Sequence, residues 1–194
     1  MGKQADFYNE NAKTFFDSTV QLNISHLYKP FLARVPAGGR ILDAGCGSGR
    51  DAKRFIELGY KVEAFDASPD LAQLATAHLG QPVACMVFDQ MNYDNEFDGV
   101  WACASLLHVP KTDLPDTLRR IARSLKVGGA CYVSFKYGGF EGQRNGRYFH
   151  DLDERGLAEV LRGLPFKIAD EWKTTDARLE RASETWLNAV LLNV

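Results

Sequence analysis

No apolar run in this sequence approaches the roughly 18–20 residues that a membrane span needs. Charge of one sign is missing too. Lys and Arg number 23 against 25 Asp and Glu, a net −2 with no long block of either sign, which gives no support to a general nucleic-acid or membrane-surface binder. Cysteine is scarce: Cys46, Cys85, Cys103 and Cys131 include no CxxC pair, and three of them lie in runs that read as buried strands. Reduced core thiols are therefore expected, with no metal site and no disulfide framework. The opening MGKQADFYNE is too polar for a secretory signal, and Gly2 lacks the Ser or Thr of an acylation motif, so a cytoplasmic location is expected. Repeats and low-complexity segments are absent as well. At 194 residues, one domain with one sizeable core is the default.

What is present is an alternation of helical and strand patterns. Residues 6–17 read as a polar helix carrying Phe7, Tyr8, Phe15 and Phe16, and residues 22–35 as a helix with an apolar stripe ended by Pro36, Gly38 and Gly39. Strands are expected at RILDAG, KVEAFD, VACMVFD, FDGVWAC and ACYVSF, with FKIADEW and ETWLNAVLL at the end. Between them lie helices over about 48–58, from Pro69 onward behind a Ser68 cap, over 113–125 and near 153–162. Residues 137–150 hold four glycines and no periodicity, and read as a long open loop. Strands separated by helices give an α/β fold, a mainly parallel sheet covered on both faces, whose ligand site lies beyond the carboxyl ends of the strands. Asp43, Asp66, Asp89, Cys103–His108 and Lys136–Tyr137 all fall at such ends.

The stretch ILDAGCGSGR constrains the ligand. A dinucleotide loop needs GxGxxG, but Gly45, Gly47 and Gly49 alternate and Arg50 takes the third glycine's place; GxxxxGK[ST] is absent. Asp43 stands beside the loop, where a carboxylate repels a pyrophosphate and attracts a cation by about 4 kcal/mol at 4 Å if the effective dielectric is near 20. A ligand without phosphates and with positive charge is favoured, and S-adenosylmethionine fits. On this reading Asp66 accepts from the ribose hydroxyls and Asp89 from the adenine amino group.

LDAGCGSGRDA, VEAFDASPDLAQLA, FDGVWACASLLHVP, LKVGGACYVSFKYG and WLNAVLL, in that order, resemble class I SAM-dependent methyltransferases. Together with FYNENAKTFFDST they are most similar to the small bacterial group related to tellurite-resistance methyltransferases. The resemblance implies one Rossmann-like domain over residues 1–194, with a seven-stranded, mostly parallel sheet and an antiparallel last strand. It assigns Asp43 and Gly45 to the methionine part, Asp66 to the ribose and Asp89 to the adenine edge. Gly47, Gly49, Ala67, Gln90, Cys103 and Ala104 complete the expected cofactor contacts, and residues 1–36 would supply helices covering the cofactor through Tyr8. The product would be S-adenosylhomocysteine.

His108, after the fourth strand, is a candidate proton acceptor facing the methyl acceptor; packing against Leu107 and Pro110 is the competing reading. Lys136, Tyr137, Arg144 and Arg147 are candidates for contact with a small, anionic substrate, although most charges in such a loop are simply solvated. Arg50 and Asp51 read as surface pairs near the helix start. The aromatics of residues 7–16 read either as a lid or as an ordinary packing face. A binding protein without catalysis and a NAD-dependent oxidoreductase remain alternatives to the enzyme. Monomer and homodimer are both compatible with the sequence, and no nucleic-acid or membrane partner is expected.

Overall fold

The computed structural model describes residues 3–194; Gly2, considered above, lies outside them. In chain order the elements are α1 (Lys3–Glu10), α2 (Ala12–Thr19), α3 (Tyr28–Leu32), β1 (Arg40–Ala44), α4 (Arg50–Glu57), β2 (Lys61–Asp66), α5 (Pro69–Leu79), β3 (Ala84–Cys85) and β4 (Phe97–Ala102). There follow α6 (Leu114–Ser124), β5 (Leu125–Lys136), β6 (Glu141–Arg144), β7 (Arg147–His150), α7 (Glu154–Val160), β8 (Phe166–Thr175) and β9 (Thr185–Asn193).

Seven strands form one sheet in the order β3-β2-β1-β4-β5-β9-β8. The first five pair in parallel, whereas β9 runs antiparallel to both β5 and β8. The expected α/β fold, with its antiparallel last strand, is the one observed. The order reverses between β1 and β4, and in open sheets of this type the ligand crevice opens at that reversal.

Alternation along each strand sends neighbouring side chains to opposite faces. Ile41 joins Phe31, Phe55, Trp101 and Tyr132 on one face. Leu42 joins Ala44, Val100, Leu118, Ile121 and Val133 on the other. Trp101 and Tyr132 stack at 3.8 Å between ring centres. Segment 24–35 lies so close to β4 that a Cβ on Gly99 would sit 2.6 Å from Phe31 Cζ and 2.8 Å from Val35 Cγ2.

Several expectations need correction. The first helix is two helices, parted at Asn11, whose side-chain nitrogen donates to the Phe7 carbonyl at 2.8 Å. The helix expected over 22–35 shrinks to α3 after a 3-10 turn at Ser25–Leu27, because Pro30 has no N–H to bond to a preceding turn. The strand VACMVFD reduces to Ala84–Cys85 at the sheet edge, so Cys85 is exposed rather than buried. Cys46 and Cys103 are half-buried, and Cys131 alone of the four is fully enclosed.

The open loop of 137–150 is a hairpin of β6 and β7, turning at Asn145 and Gly146 with φ of 50° and 77°. Asn-Gly is the favoured pair for a two-residue turn with both φ positive, and that signal stood in the sequence. Among the described residues, no helix is long and apolar enough to cross a membrane.

Candidate functional site

A cavity of about 910 Å³ opens at the carboxyl ends of the strands. One side is built by the glycine loop. Gly45, Gly47 and Gly49 have φ of 78°, 55° and 75°, a left-handed residue at every second position, which only glycine adopts without strain. Each also has a close neighbour: a Cβ on Gly45 would meet Ser105 Cβ at 2.6 Å, and one on Gly47 would meet the Phe15 ring at 3.0 Å. Gly49 lies over Ala75 and Leu79, away from the cavity, and starts α4.

Asp43 is buried beneath this loop and accepts the Ala52 N–H at 3.0 Å, so it braces the first turn of α4 as well as lining the cavity. Burial, and next the neighbouring Asp51, push its carboxyl well above the usual range, while Arg50 opposes them. Asp66 accepts from Gly47 N at 2.8 Å and Ser68 N at 2.9 Å, which ties the glycine loop to the start of α5. Burial raises its value too. A carboxylate has about four lone-pair positions, so Asp66 keeps acceptor capacity toward the cavity. Ala67 and Asp89 line the same side; Gln90 does not, its side-chain oxygen accepting the Val87 N–H at 3.0 Å instead.

Arg50 and Asp51 are not a surface pair. Asp51 is 5% exposed and accepts from Tyr28 Oη and Trp101 Nε1, each at 2.8 Å, and from Arg50 Nε and Nη2 at 2.7 and 3.0 Å. Burial alone would raise Asp51, but the Arg50 charge and these hydrogen bonds outweigh it and hold the carboxyl below its ordinary value. This network under the cavity floor escaped the sequence reading, because nothing local brings Tyr28, Asp51 and Trp101 together.

Beyond β4, Cys103 and Ala104 form the wall, and burial pushes the Cys103 thiol up to about 12. Ala104 has φ of 52°, a strained value for a residue with a Cβ, held by its N–H donating to Ser134 Oγ at 2.8 Å. His108 follows. Its Nδ1 lies 2.7 Å from the Tyr148 carbonyl, which can only accept, so Nδ1 carries the proton and Nε2 accepts from Tyr8 Oη at 2.9 Å. Arg147 Nη1 also reaches Tyr8 Oη, at 3.3 Å. Tyr8, His108, Lys136 and Arg147 all line the cavity. Tyr137 and Arg144 do not: Tyr137 donates to Glu154 at 2.9 Å, and Arg144 pairs with Asp151 at 2.7 Å while lying over the Phe140 ring. Arg178 and Arg181, also in the cavity wall, had no signal in the sequence.

Residues 41–129 match the family described as Methyltransferase domain. That match spans 89 of the chain's 194 residues. Among curated relatives, a ubiquinone biosynthesis O-methyltransferase of Bradyrhizobium sp. (strain ORS 278) is 34% identical over 143 residues, covering 70% of this chain and 52% of the relative. The chain spans about half the length of the curated relatives it matches. Two solved structures are similar in fold. The 1,6-didemethyltoxoflavin-N1-methyltransferase of Burkholderia thailandensis, crystallised with 1,6-didemethyltoxoflavin and S-adenosylhomocysteine, has a TM-score of 0.78 and 22% identity, covering 98% of this chain and 87% of that one. The [4+2]-cyclase SpnF has a TM-score of 0.75 and 18% identity, covering 97% of this chain and 94% of that one.

The stretch matched by that family contains the glycine loop, Asp66, Asp89 and His108, while Tyr8 and the four cavity cations other than Arg50 come from outside it.

Proposed function

We propose that the chain transfers the methyl group of S-adenosylmethionine to a small-molecule acceptor by in-line displacement. The observation that carries this reading is the run of acids along one side of the cavity: Asp43 and Asp66 in β1 and β2, and Asp89 beyond β3. The cation nearest to them, Arg50, is consumed by Asp51. Such a wall suits a ligand with an ammonium, hydroxyls and an amino group, and it opposes a pyrophosphate, which counts against the dinucleotide reading. When bound, the cofactor supplies an electrophilic methyl group on a sulfonium that leaves as a neutral thioether.

The chain's own part is then chiefly positional. Asp66 fixes the ribose, Asp43 and Gly45 meet the methionine part with its ammonium, and Cys103–Ala104 set the wall beside the methyl group. Tyr8 and His108 close the cavity on the acceptor side. The finer kinship, with the group related to tellurite-resistance methyltransferases, is supported by the segment FYNENAKTFFDST and the order of the motifs.

The test is calorimetric titration with S-adenosylhomocysteine, its 2′-deoxyribose analogue and NAD. The wild-type protein should bind S-adenosylhomocysteine, prefer it to the deoxy analogue by about tenfold and bind NAD weakly or not at all. In Asp66→Ala that preference should vanish while melting stays cooperative. An undiminished preference removes Asp66 from the ribose site, and tighter binding of NAD overturns the proposal.

A further inference from the structure

The far end of the cavity, under β5, β9 and the 176–184 connection, has the opposite electrical character from the acid-lined side. Four cations line it: Lys136, Arg147, Arg178 and Arg181. Two are neutralised within the protein. Lys136 bonds to Glu184, and Arg178 forks onto Asp176 at 2.9 and 2.7 Å. Arg147 and Arg181 have no carboxylate at ion-pair distance among the described residues.

Arg147 lies over the rings of Phe7, Tyr8 and Phe149, 4.9 to 5.8 Å from their centres. Its Nε is buried and finds no hydrogen-bond partner. Arg181 is held below the ordinary arginine value by burial and then by Arg178; Asp176 opposes this and Arg147 adds to it. Gathering like charges and leaving a buried N–H unmade both cost free energy. An anion at this end relieves the first. Aromatic rings stand beside these cations in the cavity wall: Phe149, 5.1 Å from Arg147 and 5.9 Å from Lys136, and Trp186, 5.3 Å from Lys136.

We infer that the acceptor is a small planar molecule bearing one carboxylate, held at its anionic end by Arg147 and Arg181 and covered along its body by Phe149 and Trp186. A carboxylate matches the planar guanidinium fork, and a single charge suits a site that keeps Asp176 at its edge. The inference rests on the methyl-transfer reading only in naming the occupant an acceptor.

The experiment compares benzoate, phenylacetate and naphthoate with their primary amides, and with phenyl phosphate, by titration into protein saturated with S-adenosylhomocysteine. At least one carboxylate should bind about tenfold more tightly than its amide. That gap should close in Arg147→Gln and in Arg181→Gln. It should persist in part in Arg147→Lys, which keeps the charge and so separates it from the packing of the side chain on three rings.

Equal binding of acid and amide in the wild-type protein overturns the inference, as does a gap that survives both Gln substitutions. Preference for phenyl phosphate, or no measurable binding of any carboxylate, overturns it too. Failure of S-adenosylhomocysteine itself to bind counts against the proposed function instead, and the acid–amide comparison is then read on the protein alone.

Discussion

Burial holds the His108 imidazole down to about 4, against the opposing hydrogen bond to the Tyr148 carbonyl, with Arg147 and Lys136 lowering it further. At neutral pH the ring is therefore neutral, with its Nε2 lone pair turned to Tyr8 rather than to open cavity. His108 meets an acceptor proton directly only if Tyr8 moves away, so both readings of this residue keep part of their force: it is packed, and it is poised at the cavity wall. The linkage has a definite sign. A folded value below the ordinary one, about 6.5, gives a contribution to stability that is complete above that pH and lost as pH falls toward 4. Denaturant titrations from pH 7 to 4 should show a loss on the order of 3 kcal/mol from this residue, and His108→Gln should flatten that part of the profile. Parallel profiles for the two proteins would mean that the imidazole is protonated as easily in the fold as outside it.

Helices α1 and α2 are eight residues each, and isolated helices of that length are not stable in water. On α2 only Ala12 and Thr19 are buried. The pair is held by Tyr8 on His108, by Ser68 Oγ donating to Asn9 Oδ1 at 2.5 Å, and by Phe15 on Gly47. With only two residues of α2 buried, the segment should open at lower free energy than the sheet. Tyr8 and Phe15 face the cavity, which makes its occupant a further partner. Amide exchange over residues 7–16 should slow by up to about a hundredfold when S-adenosylhomocysteine is present at a hundred times its Kd. Equal protection with and without ligand would mark α1 and α2 as an ordinary packing layer. The β6–β7 hairpin carries the same lesson from the other direction. Read by composition, its glycines suggested an open loop; read by turn chemistry, Asn145-Gly146 between paired strands is a hairpin that delivers Arg147 and Tyr148 to the cavity rim.

For the molecule as a whole, the sheet face under segment 24–35 depends on a missing side chain. Gly99 pairs with Ile41 in the register of β1 and β4, and its bare Cα lets Phe31 and Val35 reach the backbone. Gly99→Ala places a methyl group where neither a ring nor a valine can retreat without disturbing the Phe31–Trp101 contact at 5.2 Å. A loss of about 1–3 kcal/mol is expected, read by chemical denaturation. Trp101 fluorescence should shift as well, because its partner Asp51 lies in the same layer. A substitution without effect on either would show that segment 24–35 is only loosely laid on the sheet.

The sequence by itself determined the order of the seven sheet strands and of the helices between them, the α/β class and the end of the sheet at which the cavity opens. Each of these follows from local periodicity and from where acids and glycines fall along one strand or one turn, and Asp43, Asp66 and the alternating glycines were legible for that reason. What only the tertiary structure decided depends on contacts between distant segments. It buried Arg50 and Asp51 by bringing Tyr28 and Trp101 onto them, and it turned Tyr137, Arg144 and Gln90 toward other partners. It also gathered Arg147 and Arg181 with no carboxylate at ion-pair distance from either among the described residues. A charge carries no mark in the sequence of whether it will be paired, because its partner is chosen by the approach of chain segments rather than by neighbours along the chain.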